Sequence, residues 1–103
     1  MEALANMPFK TLNQLVSEIA QKFFQLCRAY GYKEEVCLLN NDIYLSKVKS
    51  AYTNLSDSEK NLINNEFFYQ GYHRWWINIY SRATFYRYKK EAMLKFLEGF
   101  YHE

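Results

Sequence analysis

Glycine and proline are scarce, with three glycines and one proline in 103 residues. Tight turns and left-handed backbone draw on those residue types, so a fold of many short strands is excluded and long elements with short connections are expected. Cysteine is scarce as well. Cys27 and Cys37 form no CxxC pair, which sets zinc aside and makes reduced core thiols the expectation. No apolar run approaches the ~20 residues that a spanning helix needs. Met1-Glu2-Ala3-Leu4 has neither a basic leader nor a signal-type apolar core. The expectation is a cytoplasmic protein with no membrane partner.

Catalytic groupings are absent too. The two histidines, His73 and His102, are isolated and in no metal-ligand spacing, and a general base needs a partner that the sequence does not show. There is no glycine-rich phosphate loop. Glu34-Glu35, at a helix start, complements the helix dipole rather than forming an acid pair. A non-enzymatic protein without metal or cofactor is expected.

What is present is apolar and aromatic surface. Half of the residues are hydrophobic and 19% are aromatic, too many for low-hydrophobicity disorder and enough for one core at this length. There is no internal repeat and no low-complexity segment. The chain reads as one all-α domain, with an N-terminal helical hairpin over 9–53 and a C-terminal three-helix helix-turn-helix unit over 54–100.

Thr11 to Tyr30 is the clearest helix. Leu12, Leu15, Val16, Ile19, Phe23, Leu26, Cys27 and Tyr30 recur at three- and four-residue steps. Thr11 is its expected cap, just after Pro8, and Gly31 supplies a left-handed stop. Lys33 to Thr53 reads as helical, with Val36, Leu39, Ile43, Val48 and Tyr52 on one face. Leu38, Tyr44 and Leu45 blur that face, and Asn40-Asn41-Asp42 leaves open one helix or two. Ser56 and Glu59 form a capping box, each side chain satisfying the other's backbone N–H. Leu62, Ile63, Phe67 and Phe68 carry that helix to about Tyr69, and Gln70-Gly71 is the turn. Tyr72 to Ile79, with Trp75 and Trp76, is a short helix at most. Ser81 caps the last helix, which runs to about Phe100. Phe85, Tyr88, Ala92, Met93, Phe96 and Phe100 form its inward stripe, and Arg82, Thr84, Arg87 and Lys90 lie outside it.

Net charge is only +2, but its distribution is uneven. From Gly71 to Leu97 there are six cations (Arg74, Arg82, Arg87, Lys89, Lys90 and Lys95) against Glu91 alone, a net of +5 in that stretch. A basic working face at one end of a near-neutral body is the implication. A merely solvated helix face is the ordinary alternative.

Two segments carry a family resemblance. Leu55-Ser56-x-x-Glu59-Lys60-x-Leu62-Ile63-x-x-x-Phe67-Phe68 is similar to the opening helix of region 4 of sigma-70-type factors, and to that of the small phage regulators of the ArpU and RinA kind. Ser81-Arg82-x-x-Phe85-x-x-Tyr88-x-x-x-Ala92-Met93-x-Lys95-Phe96 resembles the recognition helix of that family. Trp75-Trp76 followed by Tyr80-Ser81-x-x-Thr84-Phe85-Tyr86-Arg87 is also similar to a signature in small bacterial proteins. The resemblance covers roughly Tyr52 to Phe100. One departure stands between the segments. Gly71 to Ser81 is shorter than the family's positioning helix and turn by nearly one helical turn, with two tryptophans in place of small residues and Asn78 in place of the turn glycine.

The resemblance implies a transcription regulator that binds double-stranded DNA, with RNA polymerase as a second partner. A helix fits the major groove, and its N-terminal residues reach base edges. Ser81 and the first backbone N–H groups can take a phosphate. Arg82 and Arg87 suit guanine edges or phosphates, and Ala83 and Thr84 suit a thymine methyl. Tyr86, Lys89 and Lys90 are placed for backbone contacts. At this length there is no room for a promoter-melting region, so a regulator that does not initiate transcription alone is expected. Phe23, Phe24, Tyr30 and Tyr32 exceed what a hairpin needs for packing, which points to a homodimer through the N-terminal helices. Trp75 and Trp76 can stack single-stranded bases, although core packing is the simpler use. The rival function is a helical adaptor that binds another protein and no longer contacts DNA.

Overall fold

The computed structural model describes residues 2–29, 43–69 and 74–101, and every regular element among them is helical. The elements are α1 (Glu2–Ala5), α2 (Phe9–Ala29), α3 (Ile43–Thr53), α4 (Asp57–Ile63, continued by a π turn over Asn64–Phe68) and α5 (Arg82–Tyr101). None of these helices is long and apolar enough to cross a membrane.

Helix α2 starts two residues before Thr11. Pro8 precedes it, and its carbonyl accepts from Leu12 N–H at 3.1 Å. Proline lacks an N–H and has a helix-compatible φ, so it opens a helix where that donor would be unpaired in any case. Thr11 is therefore an internal residue and not the cap. The inward face of α2 is as the spacing predicts, with Leu12, Val16, Ile19, Phe23 and Cys27 buried.

Cys27 is 3% exposed and disulfide-bonded rather than a reduced thiol. Pairing depends on Cα separation in space, which the residue spacing does not set. A reducing compartment therefore does not follow from the cysteines. Tyr30, Gly31, Tyr32, Glu34-Glu35, Val36, Cys37, Leu38, Leu39 and the Asn40-Asn41-Asp42 break lie outside the described residues, as do Gln70-Gly71, Tyr72 and both histidines.

In α3 the buried residues are Leu45, Val48 and Ala51, while Ile43 is 77% exposed. The inward face is the one that Leu45 marks, a turn's fraction away from the one expected. Several apolar residues here lie off a single stripe, and the neighbouring helices choose among the candidate faces.

Helix α5 is the hub. It packs against α1, α2, α3 and α4. Its C-terminal half provides Ala92, Met93, Phe96, Leu97 and Phe100 to the core. At Gly99 it crosses α3 so closely that an added Cβ would meet Ala51 Cα at 2.9 Å. Phe68, from the π turn, joins α2 to α5 through ring contacts with Phe23 at 5.6 Å, Phe24 at 5.9 Å and Phe96 at 6.0 Å. Such edge-on pairs each add about 0.5–1.5 kcal/mol beyond burial. Phe23 and Phe24 thus serve the interior of one chain, which removes their surplus as an argument for a homodimer.

The segment between α4 and α5 departs from the three-helix expectation. Residues 74–79 form successive turns rather than a helix. Ile77 N–H reaches Arg74 O at 3.2 Å, and Ile79 and Tyr80 N–H both reach Trp76 O at 2.9 Å. The two indoles explain the geometry. Trp76 stacks flat on Phe85 at 4.3 Å and 4°, and Trp75 meets the same ring edge-on at 6.0 Å. Two bulky rings converging on one helix position leave no room for a regular turn of helix above it.

Candidate nucleic-acid interface

The two halves of α5 are unlike. From Arg82 to Glu91 only Phe85 is buried, whereas five residues are buried from Ala92 onward. The N-terminal half is held through one face, by Phe85 under Trp75 and Trp76 and by Lys89 against Glu66, and its other residues are more exposed. Its start is locally determined. Ser81 Oγ accepts from Thr84 N–H at 3.2 Å and donates to Thr84 Oγ1 at 2.9 Å, and Phe85 N–H reaches Ser81 O at 2.9 Å. This satisfies an otherwise unpaired first-turn donor. It also means that the Ser81 and Thr84 hydroxyls already hold each other.

Ala83, Arg87 and Lys90 are spaced by four and three residues, which puts them on one helical face, and all three are exposed. Arg82 is exposed at the first turn. Arg87 lies over the Tyr88 ring, 5.1 Å from its centroid, which holds the guanidinium along the helix surface. Among the described residues, no carboxylate pairs with Arg82, Arg87 or Lys90. The same is true of Arg74, exposed in the run of turns that leads to Ser81. Arg74 was counted in the basic stretch but not placed at the site, because nothing in its local pattern distinguishes a surface cation from a working one.

Lys89 and Tyr86 are placed differently. Lys89 Nζ lies 2.8 Å from Glu66 Oε1, with both side chains only 12% exposed. It also lies over the Phe9 and Phe67 rings, at 5.6 and 5.3 Å. It holds α5 against the π turn and is not available to a phosphate. The helical period puts Lys89 and Met93 on the inward side, and Glu66 supplies the counter-charge there. Tyr86 remains 43% exposed, but its ring packs edge-on against Phe9 at 5.5 Å and lies 6.3 Å from Trp76.

Tyr88, expected in the inward stripe, is 39% exposed, and Leu97, absent from that stripe, is fully buried. Tyr88 and Tyr80 pack edge-on at 5.4 Å. With Ser56, Ser58, Glu59, Leu62 and Glu91 they line a cleft of about 410 Å³ between α4 and α5. This flank is aromatic and acidic. The N-terminal half of α5 thus has a cationic side, carrying Arg87 and Lys90, and an acidic one, lined by Glu59 and Glu91.

Glu59 belongs to the acidic flank and to the scaffold. Ser56 N–H donates to Glu59 Oε1 at 2.8 Å and Glu59 N–H to Ser56 Oγ at 3.3 Å, the capping box read from the sequence. Partial burial works against its ionisation. The hydrogen bonds from Ser56 and the Lys95 ammonium at 3.3 Å outweigh that and hold the carboxyl below its ordinary value. Trp75 and Trp76 are half-buried against Phe85, and the Trp75 indole N–H donates to Glu66 Oε2 at 2.9 Å, so both indoles serve packing. No group of three or more His, Cys, Asp or Glu suited to a metal gathers among the described residues. Comparison with family models, curated proteins and solved structures gave no match, so the reading of this site rests on its own geometry and chemistry.

Proposed function

We propose that the protein is a DNA-binding regulator that presents the N-terminal half of α5 to a double-stranded duplex. The observation that carries this reading is the division of the cations. Lys89 and Lys95 are paired with Glu66 and Glu59, whereas Arg74, Arg82, Arg87 and Lys90 stay exposed around a capped helix start, with no carboxylate partner among the described residues. A helix has a width that fits the major groove, and one that is cationic on its exposed face suits it, its first turns being the part that reaches base edges. In this reading Arg82 and Arg87 carry base or phosphate contacts, Lys90 and Arg74 contact phosphates, and Ala83 lies against a base edge. Ser81 and Thr84 order the helix start and offer its backbone N–H groups to a phosphate.

The test is a salt series of duplex-binding measurements. Affinity should fall steeply between 50 and 200 mM salt, by roughly 10-fold or more for several phosphate contacts. Arg82→Ala with Arg87→Ala should abolish specific binding while the helical signal is unchanged. Equal affinity of that double variant and the parent chain at moderate salt sinks the assignment.

A second reading, a helical adaptor for a protein such as RNA polymerase, has its own observation. Residues 74–79 are turns where the resembled family has a positioning helix, and they leave Ile77 and Ile79 46% and 61% exposed. Salt-insensitive association with a protein partner, lost in Ile77→Asp or Ile79→Asp, favours the adaptor.

A further inference from the structure

Helix α4 does not end as it begins. From Asn64 to Phe68 it widens into a π turn, closed by Tyr69 N–H donating to Asn64 O at 2.7 Å. Such turns are rare and recur at functional sites, since the extra residue re-aims the side chains on either side of it. Here Asn64, Phe68 and Tyr69 meet Phe23 of α2 with Val48 and Tyr52 of α3 around a pocket of about 160 Å³.

The walls are mostly carbon, with one polar pair among them. Asn64 Nδ2 donates to Tyr52 Oη at 2.7 Å. That bond uses the phenol oxygen as an acceptor, and the Tyr52 proton has no acceptor among the described residues. The Asn64 side-chain oxygen likewise has no hydrogen-bond partner among the described residues. An apolar pocket with one unmatched donor and one unmatched acceptor has the make-up of a small-molecule site, where ring burial supplies affinity and the polar pair supplies orientation. The pocket is half open to solvent, and its volume matches one ring, since an apolar cavity of about 150 Å³ accepts a single benzene ring.

We propose that this pocket binds a single-ring aromatic molecule bearing one hydroxyl. The ring lies against the touching rings of Phe23 and Phe68 and against Val48, and the hydroxyl pairs with Tyr52 and Asn64. The site does not depend on the DNA reading. It does adjoin the turn that carries Glu66, whose carboxylate takes the Trp75 indole N–H and the Lys89 ammonium. Occupancy is therefore felt at the Trp75 indole.

Phenol is the probe, and toluene is the matched ring without a hydroxyl. Titration of the full chain, followed by amide and indole NMR signals, is expected to give saturable shifts centred on Phe23, Val48, Tyr52, Asn64 and Phe68 and reaching the Trp75 indole. Toluene is expected to bind about 5- to 10-fold more weakly, the effect of one net hydrogen bond. Tyr52→Phe keeps the ring, removes the donor and is expected to erase the preference for phenol. Val48→Phe fills the pocket and is expected to lose both probes; if that chain fails to fold, Tyr52→Phe alone decides. Shifts that do not saturate, shifts centred elsewhere, or an unchanged preference for phenol in Tyr52→Phe overturn the proposal.

Discussion

Glu66 and Lys89 form an ion pair at 2.8 Å with both side chains nine-tenths covered, and the same carboxylate takes the Trp75 indole N–H. One residue of the π turn thus holds both the approach to α5 and its second turn. Removing one partner of a covered pair strands the other charge, at a cost of about 3 kcal/mol. Glu66→Ala should lower stability by that order. Glu66→Met combined with Lys89→Met should recover most of it, because two apolar side chains replace the pair. Urea melts of the parent, each single variant and the double variant test this, and a double variant as unstable as the worse single would refute the pairing.

Lys89 and Lys90 make a sharper contrast. Lys90→Gln should leave the melting temperature unchanged and reduce the salt slope of duplex binding by about 0.9, the share of one phosphate. Lys89→Gln should instead destabilise the fold, with any loss of binding following from unfolding. A reversed pattern would place the working cation on the other face.

The crossing of α3 and α5 leaves no space at Gly99. Alanine is ordinarily better than glycine inside a helix by about 1 kcal/mol. Here the new Cβ would come within 2.9 Å of Ala51 Cα, a backbone atom that cannot turn aside. Overpacking of this kind costs typically 1–3 kcal/mol. Gly99→Ala should lower the melting temperature rather than raise it.

Among the described residues, Glu59 and Tyr44 make stability depend on pH. Glu59 is held below its ordinary value of 4.5 in the folded chain, so its contribution is present above that value and lost as pH falls through the lower folded one. Ser56→Ala should cost about 1 kcal/mol at neutral pH and flatten this acid limb. A limb of equal steepness in the variant would contradict the capping role.

Tyr44 behaves oppositely. Burial, then the nearby Tyr101 and Glu18, push its hydroxyl from 10.0 up to about 12. Folding therefore favours the protonated form, so stability is complete below pH 10 and declines as pH rises from 10 towards 12. Tyr44→Phe should remove that part of the alkaline decline, as measured by melts across the range.

Two of the helix starts were legible in the residues, while that of α2, expected at Thr11, was not. Ser56 with Glu59, and Ser81 with its first-turn N–H groups, act within three residues and need no distant partner. The α2 stripe was legible for the same reason, since one period ran through a long helix. The inward face of α3 was not, because Ile43, Tyr44 and Leu45 are all apolar in part and only contact with α5 selects Leu45. The link before α5 was legible only as a short helix at most, and its turns over 74–79 were not, because nothing local shows that both indoles would converge on Phe85.

For the candidate site, the sequence by itself determined an all-α chain with a basic, capped C-terminal helix, since composition, period and capping are local properties. Only the tertiary structure decided which cations remain free. Lys89 and Lys90 are adjacent lysines with the same intrinsic chemistry, and they are distinguished by Glu66, 23 residues earlier in the chain. The fold brings that carboxylate to one lysine and leaves the other in water, because the helical period turns neighbouring residues to different sides.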